Sequence, residues 1–173
     1  MTPDRPDLVE PISDASLVTS LDLLDHEQGI RAAQTSTRGR ALQTLHGSPD
    51  APLHAMVNYI RRGSYIRPHR HWTQDGAVQK GESFVCHKGS GKIIFFDNSG
   101  NIIRIMPISA AKPEFILIPP QVYHTLVANS EMLIMIENKT GPYNPETDKS
   151  FHPAFPEEGS KEVEALMEEW LRL

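Results

Sequence analysis

From Leu53 onward the apolar residues fall in short runs separated by turn formers. The runs are LHAMVNYI (53–60), SFVCH (83–87), KIIFFD (92–97), NIIRIMPI (101–108), EFILI (114–118), HTLVA (124–128) and EMLIMIEN (131–138). They are rich in Ile, Val and Phe, whose branched or flat side chains suit a pleated surface. Asp97-Asn98-Ser99-Gly100 and Asn129-Ser130 supply turns between them. Many short strands at near-regular spacing predict a sandwich or small barrel, not βαβ units. The flanks read differently. Over 13–34, Leu17, Leu21 and Leu24 repeat at helical spacing behind a cap at Ser13 or Asp14, and Gly29 interrupts the pattern, so one helix or two short ones are expected. Residues 34–39 are polar and read as a loop. Pro142, Pro145, Pro153 and Pro156 mark an irregular stretch, and Val163, Leu166, Met167 and Trp170 form the apolar stripe of a final helix. The expected organisation is a helical segment and loop over 1–40, a β-barrel over 41–140, and a Pro-rich segment with an amphipathic helix packed on the barrel over 141–173.

Composition narrows the function classes. A chain of 173 residues is long enough for one core without disulfide staples, and its single cysteine, Cys86, cannot form an internal one. The first residues, MTPDRPDLVEPIS, carry acids and prolines where a secretory signal needs an apolar core, which predicts a cytoplasmic protein. No apolar run approaches the roughly 18 residues of a membrane-spanning helix. The formal net charge is −5, and six glutamates between Glu157 and Leu173 carry most of it, so nucleic acid is not the expected partner. Arg61, Arg62, Arg67 and Arg70 are clustered all the same, which suits a small anionic ligand.

The chemistry concentrates in Arg67-Pro68-His69-Arg70-His71. On a strand, residues i and i+2 face the same way, so His69 and His71 can aim two imidazoles at one point, as a metal site requires. Tyr65 and Arg67 share that parity and are placed at the barrel mouth as substrate-binding candidates, Arg67 through its bidentate fork. Arg70 has the opposite parity; it either joins them or faces out towards a subunit contact. Glu82, Phe84 and Cys86 share a face, which points Cys86 inward as a small apolar group. His46, His54, His87 and His152 lack partners at ligand spacing and read as surface or hydrogen-bonded core histidines.

Around the histidine pair the chain resembles the cupins. Gly63, His69, His71, Glu82 and Gly89 match the places of the first cupin motif, G-x5-H-x-H-x3–4-E-x6-G, and Pro119 and His124 match places of the second. Ten residues separate His71 from Glu82 where the motif has three or four, Gln121 stands where it has glycine, and Asn129 comes one position late. The long gap leaves Asp75 as a rival ligand at the family's short spacing; Glu82 is preferred because it alone is followed by x6-Gly89 and opens an apolar strand. A narrower resemblance, to the WbuC-type cupin-fold metalloproteins, runs from about residue 38 to the C-terminus. It is carried by Tyr65-Ile66-Arg67-Pro68-His69-Arg70-His71, Lys80-Gly81-Glu82, Pro119-Pro120, His124-Thr125, Gly141-Pro142-Tyr143 and Pro156-Glu157-Glu158-Gly159.

The resemblance implies a mainly β protein, a jelly-roll barrel with a bound metal held by His69, His71, Glu82 and His124, and a setting in surface polysaccharide synthesis. It implies one divalent transition ion, Fe, Mn, Ni, Co or Zn. Three functions follow as expectations. One is an enzyme, isomerase/epimerase-like or oxygenase-like, acting on a small polar or anionic metabolite such as a sugar or sugar-nucleotide derivative. Another is a non-catalytic ligand-binding or regulatory cupin whose metal stabilises the barrel. The third is a cupin dioxygenase acting on a thiol, against which Glu82 as a ligand weighs, since such enzymes tend to hold iron with three His and no Glu. No catalytic acid or base is assigned. A homodimer is the expected assembly.

Overall fold

The computed structural model describes residues 21, 24–71 and 80–173. Helix α1 (His26–Thr35) comes first, then strands β1 (Arg40–Thr44), β2 (Leu53–Arg61), β3 (His69–Arg70), β4 (Glu82–Lys88), β5 (Ser90–Phe96), β6 (Ile102–Ser109), β7 (Ile116–Ile118), β8 (Tyr123–Ala128), β9 (Met132–Thr140) and β10 (Ser150–Phe151), and finally helix α2 (Glu162–Arg172). Two five-stranded sheets form, ordered β1-β2-β9-β4-β7 and β10-β3-β8-β5-β6, with antiparallel neighbours throughout. The mainly β fold with helices at either end is the one expected. All seven expected strands are present. Strands β1 and β10 were not anticipated; β10 lies in the Pro-rich stretch, where two ladder pairs beside β3 order it.

The sheets face each other, and alternation along each strand decides what lies between them. Phe84, Cys86, Ile93, Phe95, Leu126, Leu133 and Met135 fill the core. The opposite faces are covered by the helices. Trp170 and Met167 of α2 pack on Ile94, Phe96, Val127 and Tyr123, while Ala33 of α1 packs with Val57, Tyr59 and Ile134. This double covering explains why Ile93-Ile94-Phe95-Phe96 is apolar without a break: both faces of β5 are dry. Trp170 is 1% exposed, and truncating such a residue to alanine typically costs ~3–5 kcal/mol. The buried Lys92 of β5 donates to the Trp170 carbonyl at 3.0 Å, so the α2 C-terminus meets a cation.

Helix α1 is unbroken over its length; residues 13–20, where the expected helical segment begins, lie outside the described residues. Asp25 caps it by accepting from the Gln28 amide. Gly29 does not interrupt it; a Cβ there would lie 2.3 Å from the Tyr59 ring, so glycine lets the helix lie directly on β2. Leu21 and Leu24 pack against this cluster, and Leu17 lies outside the described residues.

Along the sandwich the inward positions change character. On β4 they run Cys86, Phe84, Glu82; on β8, Ala128, Leu126, His124; on β9, Leu133, Met135, Glu137, Lys139. The first members of each series belong to the core, and the last line a pocket. One half of the barrel is thus packed, and the other is open and polar.

Candidate metal centre and pocket

Strand register brings the histidines together. His69 of β3 lies directly opposite His124 of β8, and Glu82 starts β4 on the facing sheet. Possible ligand atoms of His69, His71 and Glu82 all lie within 4.8 Å of one another, and all three residues are buried. Glu82 reaches His71 Nε2 at 3.3 Å and His124 Nε2 at 2.7 Å. The His124 ring centre is 4.8 Å from that of His69 and 6.4 Å from that of His71, so His124 joins the triad through Glu82. The rival Asp75 lies outside the described residues.

The outer nitrogens settle which atoms face inward. His69 Nδ1 lies 3.0 Å from the Arg67 carbonyl, His71 Nδ1 2.8 Å from the Asp148 carbonyl, and His124 Nδ1 2.9 Å from the Val122 carbonyl. A carbonyl only accepts, so each Nδ1 carries a proton and donates it. In its neutral form each ring so held turns an Nε2 lone pair toward the centre, the tautomer a metal ligand needs. Glu82 Oε1 lies 2.7 Å from His124 Nε2 in a buried site. With the His124 proton on Nδ1, two lone pairs at that separation call for a proton or a metal cation to join them. The residues therefore fit a divalent ion with nitrogen and oxygen ligands.

Burial opposes charge on Glu82, but His124 and His71 outweigh it and hold the carboxyl well below its usual range. On His71 burial is overcome by Asp148 and Glu82, which lift it to about 9. His69 is pulled down by burial and by His124. When the site binds only protons, His71 carries the positive charge and His69 is neutral.

Asp148 forms the outer layer. It is 1% exposed and accepts from Lys80 at 2.8 Å and from Lys139 at 2.7 Å, while its Oδ2 lies 3.4 Å from His71 Nδ1. These contacts outweigh the burial that would raise its carboxyl and keep it ionised. Glu137, buried on β9, accepts from Asn58 Nδ2 at 2.8 Å, and burial followed by the nearby Glu82 charge pushes it up. Sequence reasoning missed both acids. Glu137 sits in an apolar strand run, and only the two-residue alternation from Leu133 and Met135 marks it as inward-facing.

These groups line a pocket of about 850 Å³. Arg67 lines it as expected. Tyr65 does not: it is buried against Trp170 with its hydroxyl donating to the Pro156 carbonyl at 2.9 Å, and burial raises it to about 12. Arg70 does not line it either; its guanidinium lies 4.5 Å from the Tyr123 ring centre on the outer face. Parity failed for Tyr65 because strand β3 begins only at His69, beyond Pro68. Cys86 is in the core, its thiol raised by burial. His54 and His46 stack in the pocket wall at 4.0 Å, the buried His152 bonds the Asp97 carbonyl, and His87 stacks on His26.

The motif glycines have reasons as well. Gly89 has φ +83°, and a Cβ there would meet the Met132 carbonyl at 2.3 Å. Gln121, at the place of a motif glycine, has φ 69°, a conformation glycine adopts freely and glutamine does not.

The family described as Domain of unknown function (DUF6016) matches residues 21–108, half of the chain. The chain belongs to that family. No curated protein matches it. Among solved structures it is similar to the capsular polysaccharide assembling protein CapF from Staphylococcus aureus, with 23% identity over 68% of this chain and a TM-score of 0.56. That match covers 30% of CapF, so this chain corresponds to about a third of it. It is similar also to a cupin 2 conserved barrel domain protein from Rhodopseudomonas palustris, with 15% identity over 66% of this chain and 68% of that one and a TM-score of 0.50. Pumpkin seed globulin matches with 16% identity over 67% of this chain and 29% of its own, at a TM-score of 0.51. The shared feature is the fold: this family member is a cupin barrel. Among the described residues no helix is long and apolar enough to cross a membrane.

Proposed function

We propose that this chain is a metal-dependent cupin of the WbuC type, an enzyme in which His69, His71, Glu82 and His124 hold one divalent transition ion. The substrate is a small polar metabolite, anionic or sugar-like, of surface polysaccharide metabolism. The carrying observation is the convergence of three histidines, each with Nδ1 held outward by a carbonyl, and a buried carboxylate on the floor of an open pocket. The polysaccharide setting is supported by the WbuC-like motifs and by the name of the fold relative CapF.

A bound ion would supply Lewis acidity towards a carbonyl or hydroxyl of the ligand. The chain's own residues do the rest. The three carbonyls that accept from Nδ1 fix the imidazole planes, and Asp148 steadies His71. Glu137, in the same pocket and anchored by Asn58, has its carboxyl pushed up by burial and by Glu82, which suits it to exchange a proton with a ligand. The pocket is open rather than plugged by Phe84, which lines it, or by Phe95 and Phe96, which lie in the packed clusters; this favours turnover over a purely structural metal. A homodimer is proposed as the assembly, supported by Ile103, Phe115 and Leu117, apolar and exposed on or beside the edge strands β6 and β7.

The test is metal analysis of protein purified without chelators or a nickel column, as wild type, Glu82→Gln and Asp75→Asn. About one Fe, Mn, Ni or Co per chain is expected, lost in Glu82→Gln and kept in Asp75→Asn. Stoichiometric zinc would replace the enzyme by the ligand-binding reading. No metal, even after reconstitution, would refute both.

A further inference from the structure

The pocket holds five basic side chains besides its histidines, and three are already matched. Arg38 and Arg40 both engage Glu158, and Lys139 holds Asp148. Two are not. Among the described residues no carboxylate lies at ion-pair distance from Lys149, which is exposed in the pocket wall. Arg67 has one long contact, 3.7 Å, to Glu157, whose side chain is 86% exposed, and its buried Nε has no hydrogen-bond partner.

These two cations belong together in the fold. Phe151 of β10 lies directly opposite His69 of β3, and Lys149 shares its parity. The Arg67 guanidinium is 5.3 Å and the Lys149 ammonium 5.8 Å from the centre of the Phe151 ring, which is itself 6.3 Å from the His69 ring. Two under-compensated cations thus flank one half-exposed ring beside a metal-site histidine.

From this arrangement we infer that the pocket has an anion subsite, in which Arg67 and Lys149 take a carboxylate or phosphate group of the ligand over the Phe151 ring. It rests on reading the pocket as a ligand site, and it makes the substrate an oxyanion whose polar remainder reaches the floor at Glu82 and His124. Arg67 supplies the fork that fits two oxygens, and Lys149 a mobile point charge. Glu157 occupies the Arg67 fork loosely and leaves when the ligand's anion arrives. The sequence placed Arg67 by parity; Lys149 emerged only from the pairing of β10 with β3.

The test is calorimetric titration of the full chain, as purified, with inorganic phosphate and separately with acetate, with metal content measured on the same samples. Lys149→Gln and Arg67→Lys should each weaken binding roughly tenfold, the usual effect of losing one charge-assisted contact. Glu157→Gln should tighten it several-fold, and metal content should not change in any of the three. Phosphate binding well above acetate assigns a phosphorylated ligand, and the reverse assigns a carboxylate. Equal affinity in wild type, Lys149→Gln and Arg67→Lys, or no binding of either anion at tens of millimolar, overturns the subsite. Binding abolished by Glu82→Gln but indifferent to Lys149 and Arg67 would place the anion on the metal, refuting the subsite and sparing the metal centre. Binding that depends on Arg67 and Lys149 in protein without metal would do the opposite.

Discussion

Replacing Asp148 by asparagine should be among the most damaging single changes in the barrel. Its carboxylate lies between two buried ammonium groups, with Lys80 3%, Lys139 8% and Asp148 1% exposed. Asparagine keeps the shape but removes the charge, and its amide turns a donor towards one of the two lysines. Breaking a buried ion pair by removing one partner costs ~3–5 kcal/mol, because the other charge is left without compensation. Here two cations are left, while solvent entering from the pocket offsets part of the loss, so ~4 kcal/mol is expected. Against a typical total of ~5–15 kcal/mol this is a large fraction. Lys80→Met is the control: it leaves Asp148 paired with Lys139 at 2.7 Å and removes the 2.8 Å contact together with a 2.6 Å bond to the Pro142 carbonyl, so it should cost ~2 kcal/mol. Urea unfolding followed by tryptophan fluorescence measures both, with the slope expected to hold and the midpoint to move. Because the Asp148 carboxylate also reaches His71, Asp148→Asn should weaken metal binding by roughly 10–100-fold, the usual effect of disturbing a ligand's hydrogen-bond partner. An Asp148→Asn protein within ~1 kcal/mol of wild type, or less stable by no more than Lys80→Met, would refute the argument that this carboxylate neutralises both lysines.

Two further outcomes follow from the packing of the termini. Gly29→Ala should destabilise by ~1–2 kcal/mol: alanine gains ~1 kcal/mol of helix propensity, but the new methyl would sit 2.3 Å from a buried ring held by Gln43 and His26, and overpacking costs ~1–3 kcal/mol plus those hydrogen bonds; a raised melting temperature would show that the ring yields. Burial raises the Glu158 carboxyl, but Arg40 and Arg38 outweigh it and lower it overall. A group depressed in the folded state contributes stability above its unfolded value, about 4.3, and loses it as pH falls through the folded value. Wild type should therefore exceed Glu158→Gln by up to ~1 kcal/mol at pH 7, the partly exposed pair being screened, and the gap should close below about pH 4; a gap that persists at low pH would refute the ion-pair account.

Much of this protein was legible from local pattern. Ladder geometry repeats every two residues, so the apolar runs located the strands, and His69-x-His71 marked the stretch of candidate metal ligands, before any contact was known. The cupin motif then paired that stretch with Glu82 and His124, across gaps that the motif, and not periodicity, bridges. Local pattern misled where a neighbour overrode it. Gly29 looked like a break because a glycine's cost in a helix is local, whereas its benefit is the Tyr59 ring from another strand. Tyr65 is assigned to the pocket by a parity that fails before Pro68, whereas Arg70 lies on the outer face, the side its parity gives and not the substrate pocket.

What only the tertiary structure decided is charge. A lysine or glutamate in a sequence is drawn as solvated, since its cost of burial depends on partners far along the chain. Asp148 meets Lys80 across 68 residues, Glu137 meets Asn58 across 79, and Lys149 faces the pocket because a two-residue strand pairs with β3. The alternation of β4, β8 and β9 dictates which side chains point inward. Which inward positions are dry and which line the pocket depends on how the two sheets close over one another, and that closure turns a set of polar residues into a candidate centre.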